Sequence, residues 1–161
     1  MLPVLHLKPG VFYHGTEPLD ILATVGTGLV VLILHPNSNQ SVIFHSDLPS
    51  TCQDEYAEPS FRYLDRAFDC AFEIYLQQGI DLQELAIKIF GGASTPRGSQ
   101  AVQTAGLDNV MRAQQILRSF SLTPVAYDVG GTWGRELKIT SDTGVVLLRR
   151  LGRRDEDVAP G

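Results

Sequence analysis

The sequence predicts a single α+β domain, in which hairpins are mixed with a few helices rather than arranged as repeated βαβ units. Residues 29–34 are continuously apolar and rich in β-branched side chains, which is typical of a fully buried strand. A turn at residues 36–39 and an apolar segment at 41–45 then predict an antiparallel partner strand. These elements and the helices below favour layered sheets with helices on one side.

A long amphipathic helix follows the hairpin. Ser60 is expected to cap it, and Gly79 is expected to end it after about Gln78. Asp81 and Glu84 predict the start of a short second helix. The apolar stripe of the long helix, which predicts that it lies deep against a sheet, consists of Leu64, Ala67, Phe68, Ala71 and Tyr75.

The second half of the chain predicts further strands around one more helix. A strand at 86–90 ends in Gly91-Gly92, and residues 94–105 are interpreted as a surface loop. The other predicted elements are a helix with Val110, Ala113, Leu117 and Phe120 on one face, a strand at 124–129, and a hairpin of 136–140 with 145–149. We therefore expect one domain at residues 1–151 and a charged, flexible tail at 152–161.

Composition excludes several classes of function. The 161-residue chain is 43% hydrophobic and 19% charged with a formal net charge of -5, so it is globular and lacks the basic face that nucleic acid requires. It shows no signal-peptide pattern and no apolar run that could span a membrane, so we expect a cytoplasmic protein without membrane insertion. Cys52 and Cys70 have no CxxC spacing and no phosphate-binding glycine motif occurs, so no metal site or cofactor is expected.

Candidate site residues lie around the first hairpin. Residues 23–31 contain Gly26, Thr27 and Gly28 just before the buried strand, and His45 ends its partner strand. Antiparallel pairing therefore brings His45 close to the start of the preceding strand. From the residues alone, a histidine in that position is either a base or a hydrogen-bonded structural residue, and both interpretations stay open.

Short motifs along most of the chain resemble one family, the chemoreceptor glutamine deamidases, CheD. Their order makes the resemblance specific, as does the spacing from Gly28 through Pro36 to His45. The motifs are Pro9-Gly10, Gly26-Thr27-Gly28, His35-Pro36, His45-Ser46-Asp47-Leu48-Pro49, Phe61-Arg62-Tyr63-Leu64-Asp65, Phe90-Gly91-Gly92-Ala93-Ser94, Gly106-Leu107-Asp108-Asn109-Val110 and Gly130-Gly131-Thr132-Trp133-Gly134-Arg135.

The resemblance implies a three-layer α/β/β sandwich and a thiol-dependent amide hydrolysis. In the family, a histidine activates a cysteine, which attacks the side-chain amide of a receptor glutamine with support from an upstream threonine. Ammonia leaves, and water hydrolyses the thioester to give glutamate.

The family's catalytic residues map unevenly onto this chain. The histidine falls on His45, whereas the cysteine falls on Gly28, which has no side chain. The neighbouring serine falls on Thr27. The supporting threonine falls on Ala23 or Leu22, and Thr24 fills that role only if one residue has been deleted. The missing threonine favours natural divergence over an engineered exchange at residue 28.

Losing the nucleophile of a covalent mechanism lowers the rate by a factor on the order of a million. The leading hypothesis is therefore a CheD-like chemotaxis protein without deamidase activity. It would still bind chemoreceptor cytoplasmic helices or a CheC-type phosphatase. The alternative is an active amidohydrolase in which Thr27 or Cys52 pairs with His45, and a third hypothesis is recruitment to unrelated binding. An active enzyme should place a hydroxyl or thiol within about 3.5 Å of a His45 ring nitrogen.

Overall fold

Two β-sheets and a layer of helices stack on one another in the computed structural model, which describes residues 1–51 and 60–152. The first sheet has the strand order β1-β3-β8-β9, and the second has the order β2-β5-β4-β6-β7. The strands are β1 (Val4–His6), β2 (Phe12–Gly15), β3 (Asp20–Val25), β4 (Leu29–His35), β5 (Gln40–Ser46), β6 (Ala86–Gly91), β7 (Ala126–Val129), β8 (Gly134–Thr140) and β9 (Val146–Leu151).

Two hydrophobic clusters separate the layers. Helices α1 (Leu64–Gln77) and α2 (Gln100–Ser119) pack on the outer face of the second sheet, where Val31, Phe44 and Phe68 belong to one cluster. The other cluster fills the space between the two sheets. The order of layers is thus helices, second sheet, first sheet, and the predicted single-domain α+β sandwich is confirmed.

The central hairpin is confirmed in detail. Every residue of β4 and β5 is buried, as expected for strands that are covered on both faces by sheet and helix. The antiparallel register places Val30 opposite His45 and Leu29 opposite Ser46. The short helix is also found, as a 3-10 helix at Leu82–Glu84, and the capping box formed by Asp81 and Glu84 starts it.

Two predicted boundaries are wrong. Helix α1 begins at Leu64 after Tyr63, which makes no side-chain cap, because Ser60 closes a separate turn by accepting a hydrogen bond from the Arg62 amide. Residues 100–105, predicted as loop, are the first turns of α2, which is capped by the Ser99 side chain. Gly106 lies within this helix. A Cβ at that position would collide with the Ala93 carbonyl, so its absence lets α2 lie close to the turn after β6.

Strands β1, β2 and β3 were not predicted. These strands are short, so the alternation of buried and exposed residues along them is a weak signal. In β3 the alternation is present, because Ile21, Ala23 and Val25 face the cluster between the sheets. Cys52 and the tail beyond Gly152 lie outside the described residues. Across residues 1–51 and 60–152, no helix is long and apolar enough to cross a membrane.

Candidate functional site

The site is built on a bend at residues 26–28, where the chain crosses from β3 in the first sheet to β4 in the second. The turn after β6 holds this bend through its backbone. The Gly92 amide donates to the Gly28 carbonyl at 2.7 Å, and the Ala93 amide donates to the Gly26 carbonyl at 3.0 Å. Gly91 has a φ of 122°, and a Cβ there would collide with the Gly28 carbonyl, so glycine is required at residue 91. The two segments therefore interlock by backbone contacts alone.

His45 lies beside this bend, in the space between the sheets. Ile43 and Phe44 belong to the clusters on opposite sides of the sheet, so His45 shares the inter-sheet face with Ile43. Its side chain is buried, and Nδ1 lies 2.9 Å from the Leu7 carbonyl oxygen. Because a carbonyl only accepts, Nδ1 carries the proton and Nε2 keeps the lone pair. This tautomer is the one that a general base needs.

Burial also keeps the His45 ring neutral. Desolvation is the largest influence and lowers the pKa of His45, while the hydrogen bond to Leu7 and the nearby charge of Asp47 act in the opposite direction. The net pKa lies below the ordinary value of 6.5, so the ring is uncharged at neutral pH. His45 thus offers a neutral base with one nitrogen oriented by the backbone.

Gly28 offers no group for that base to activate. A Cβ built at residue 28 would lie 2.8 Å from the Ser46 carbonyl oxygen and 3.1 Å from Asp47 Cα. Real Cβ atoms do not come so close to a backbone oxygen, so the segment after His45 fills the place of a side chain at residue 28. Gly28 does not have a positive φ, so its backbone conformation is open to other residues. What limits a side chain at residue 28 is the space left by the Ser46–Asp47 segment.

The threonines occupy different places. Thr24 is exposed and sits opposite Glu136 in the register, on the outer face of the first sheet, whereas Ala23 faces the inter-sheet cluster. Thr27 is half-buried on the bend next to Gly28. Considering only residues 1–51 and 60–152, no hydroxyl or thiol forms a hydrogen bond with His45, whose partner is the Leu7 carbonyl. The structure therefore brings Thr27, Gly28 and His45 to one end of the central hairpin and leaves Thr24 outside.

Asn109 belongs to the site, although the sequence analysis listed it within a motif and gave it no role. It is completely buried on α2, and Nδ2 donates to the Thr27 carbonyl at 2.9 Å and to the Asp47 carbonyl at 3.2 Å. Its Oδ1 has no hydrogen-bond partner within the described part of the chain. A sequence signal existed, because residue 109 falls on the same helical face as Gly106 and Ala113, where a polar side chain is unexpected.

Arg62 holds the segment after His45 from the solvent side. Its Nε and one terminal nitrogen donate to the two Asp47 carboxylate oxygens at 3.0 and 2.9 Å. The Asp47 amide in turn donates to the Arg62 carbonyl at 3.0 Å. Because the Arg62–Asp47 ion pair is partly exposed, it adds little to the stability of the fold. Its main effect is to hold Asp47 in place.

Arg135 supports the turn that holds the bend. The residue ends the last of the family motifs, and it is 2% exposed and acts from inside the protein. Its guanidinium donates to the carbonyls of Gly91, Gly130 and Trp133 and to the carboxylate of Asp128. Partial burial acts to raise the pKa of Asp128, but the hydrogen bonds from Arg135 and Arg150 outweigh it and lower that pKa.

Known proteins resemble this chain over nearly its whole length. The profile of the family described as CheD chemotactic sensory transduction matches residues 48–150, a range that begins after Gly28 and His45. A protein of Geobacter sulfurreducens named probable chemoreceptor glutamine deamidase CheD 2 is 35% identical over 97% of this chain and 95% of its own. Proteins named probable chemoreceptor glutamine deamidase CheD are 33% identical in Maridesulfovibrio salexigens, over 90% of each chain, and 32% identical in Nitratidesulfovibrio vulgaris, over 97% of this chain and 81% of theirs.

The motifs, the layered fold and the similarity along the chain agree, and the chain therefore belongs to the CheD family of chemotactic sensory transduction proteins.

Proposed function

We propose that this chain is a CheD-like chemotaxis protein with impaired glutamine deamidase activity, which still binds chemoreceptor cytoplasmic helices or a CheC-type phosphatase. The observation that carries the proposal is the state of residue 28. A neutral His45 stands ready as a base, yet Gly28 supplies no nucleophile and the Ser46 carbonyl lies where a side chain would start. Within residues 1–51 and 60–152, no thiol forms a hydrogen bond with this base.

The names of the relatives support the substrate class. The Geobacter sulfurreducens protein is named for deamidation of chemoreceptor glutamine, and the family description places these proteins in chemotactic signalling. Loss of one thiol removes chemistry without removing recognition, because recognition is distributed over several loops. The backbone around the site is also held in place, because Arg135 donates hydrogen bonds to the carbonyls of Gly91 and Gly130. We place the protein in the cytoplasm and assign this role to residues 1–151, with 152–161 as a flexible tail.

The test is mass spectrometry of a glutamine-bearing chemoreceptor cytoplasmic fragment after incubation with the protein, with titration calorimetry on the same pair. We expect measurable binding and no conversion of amide to acid. The Geobacter sulfurreducens relative serves as the positive control for the fragment. Conversion by the wild-type chain would contradict the impairment, and absence of binding to both the fragment and a CheC-type phosphatase would contradict the retained recognition.

A second candidate is an active protein-glutamine amidohydrolase with a substitute nucleophile. The observation that favours it is the position of Thr27 directly before residue 28, at the end of the central hairpin that carries His45. Cys52 is the other candidate, and it lies outside the described residues. If the wild type converts the fragment, the variants Thr27→Val and Cys52→Ala will show which residue is the nucleophile, because only loss of the true nucleophile abolishes conversion. His45→Gln should abolish conversion in either case, because His45 is the base for both.

A further inference from the structure

The outer face of the first sheet is open to solvent, because α1 and α2 both pack on the second sheet. A groove of about 710 Å³ crosses this face. Its floor follows one row of side chains over four strands, since the register places His6 beside Leu22, Leu22 beside Lys138, and Lys138 beside Leu147. The floor therefore alternates polar and apolar side chains from one edge of the sheet to the other.

The apolar part of the floor is open. Leu147 is 63% exposed and Leu22 is half-buried. Both point away from the cluster between the sheets, against which their neighbours Leu148 and Ala23 pack. A pocket for a small molecule encloses most of its ligand, whereas this groove leaves Leu147 uncovered. An open apolar floor of this kind fits a segment of a protein partner.

The spacing of the two leucines fits a helix. They lie two strands apart, which is about 10 Å, because neighbouring strands are about 4.8 Å apart. Residues seven positions apart on an α-helix share one face and are separated by about 10.5 Å along the axis. A helix laid across the strands therefore contacts both Leu22 and Leu147 through apolar residues at positions i and i+7.

The cations of the groove favour an acidic partner. The chain has a formal net charge of -5, yet Lys8, Lys138 and Arg149 line the groove together with one carboxylate, that of Glu136. Arg149 is paired with Glu136 at 2.9 Å, and Lys138 Nζ is 3.8 Å from the Asp20 carboxylate. Lys8 is exposed and forms no ion pair with the described part of the chain. Lys8 and Lys138 are therefore available to the carboxylates of a partner.

The groove also adjoins the candidate site. Leu7, Lys8 and Pro9 line the groove, and the Leu7 carbonyl accepts the hydrogen bond from His45 Nδ1. A helix in the groove therefore lies against the segment that orients the His45 ring.

We propose that the outer face of the first sheet binds an acidic amphipathic helix of a partner protein. Two apolar residues of this helix, seven positions apart, contact Leu22 and Leu147, and its carboxylates pair with Lys8 and Lys138. That the helix belongs to a chemoreceptor rests on the proposed function.

A synthetic helix tests the groove without a receptor. The probe is an alanine-rich peptide of about five helical turns, with two leucines seven positions apart and glutamates beside them. A second peptide carries lysine in place of every glutamate. In titration calorimetry at low salt, we expect the full chain to bind the acidic peptide at least about tenfold more tightly than the lysine peptide, and added salt to reduce the difference. Equal binding of the two peptides, or no binding of the acidic one, would overturn the proposal.

Single variants test the location. Leu147→Ser removes an apolar contact and should weaken binding of the acidic peptide about tenfold, and Lys8→Glu should weaken it about fivefold at low salt. Val145→Ser is the matched apolar control, because Val145 is exposed and does not line the groove. Arg118→Glu on α2 is the matched charge control. All four residues are exposed, so the variants should fold. Losses as large in the controls as in the groove variants would overturn the proposal.

Two further measurements identify the occupant. Sedimentation of the wild type should show no self-association that depends on Leu147, because such self-association would assign the groove to a second copy of the chain and overturn the proposal. The glutamine-bearing receptor fragment is titrated separately. Binding of the fragment that does not depend on Leu147 would leave the proposed function standing and contradict the groove as the receptor site. A groove that binds the acidic peptide but not the fragment would contradict receptor recognition alone.

Discussion

Two of the glycine-rich regions in the family motifs differ in how their polar groups are used. At the corner formed by Gly91, Gly130 and Arg135, the guanidinium donates to three carbonyls and a carboxylate. At the site around Gly28, the contacts among residues 1–51 and 60–152 pair one nitrogen of His45 and leave a buried oxygen of Asn109 without a partner. The corner is held by side-chain hydrogen bonds to several backbone groups, whereas the site places a buried histidine beside a residue that has no side chain.

The difference shows that the framework and the chemistry of a family are under separate physical constraints. Removing the buried guanidinium at residue 135 would take a hydrogen-bond donor away from three carbonyls and from the Asp128 carboxylate, so the fold itself depends on it. A glycine at residue 28 brings no polar side chain that needs a partner, and its carbonyl accepts a hydrogen bond from the Gly92 amide. We therefore expect the fold to tolerate a glycine at residue 28 far better than the loss of Arg135.

Arg135→Met should produce the largest effect. We expect it to lower the free energy of unfolding by about 3 kcal/mol, because the buried guanidinium joins Asp128 to three backbone carbonyls. Chemical unfolding in urea measures the change. The matched control is Arg149→Met, which removes an exposed ion pair with Glu136 and should lower it by less than about 1 kcal/mol. Equal effects of the two variants would contradict the distinction between the corner and the surface.

Gly28→Cys should come next. The new Cβ would press on the Ser46 carbonyl, so we expect a loss of about 2 kcal/mol in the free energy of unfolding. For the same reason, we expect this variant alone not to deamidate a glutamine-bearing receptor fragment in the mass-spectrometric assay. Efficient conversion by Gly28→Cys would show that the Ser46–Asp47 segment yields and that the groove lacked only its thiol.

His45→Gln should change how stability depends on pH. The pKa of His45 is lowered by burial in the folded state, so below about pH 6.5 the unfolded chain binds more protons at this residue than the folded chain does. His45 therefore supports folding fully above that pH, and its contribution falls as the pH drops toward the folded pKa. Unfolding free energies of wild type and variant at pH 7.5 and 5.5 should differ in slope, with the steeper loss on acidification in the wild type. Parallel slopes would contradict a buried neutral ring.

Thr24→Val should have the smallest effect. Because Thr24 lies on the outer face of the first sheet, we expect a change within about 0.5 kcal/mol in the free energy of unfolding. The ring resonances of His45 should titrate unchanged in NMR spectra of this variant. A shifted titration would restore Thr24 to the site as a supporting hydroxyl.

The sequence was informative where a pattern is local. The apolar runs of β4 and β5 and the stripe of α1 predicted buried elements because their periodicity reflects burial directly. It failed at the start of α2, where Gly106 and its small neighbours look like a loop until the contact with Ala93 is known. Strands β1 to β3 were missed because short alternation is a weak signal without knowledge of the strands beside them.

By itself, the sequence determined the family, the layered fold class, the position of His45 beside the start of β4, and the absence of a thiol at residue 28. Those properties depend on residue identity and spacing along the chain. Only the tertiary structure decided the tautomer of His45, the outward placement of Thr24, the internal role of Arg135 and the tie made by Asn109. Each of these depends on which backbone carbonyl lies within about 3 Å of a side chain. Leu7 and His45, or Thr27 and Asn109, are distant in sequence, and only the packing of the sheets and α2 brings them together.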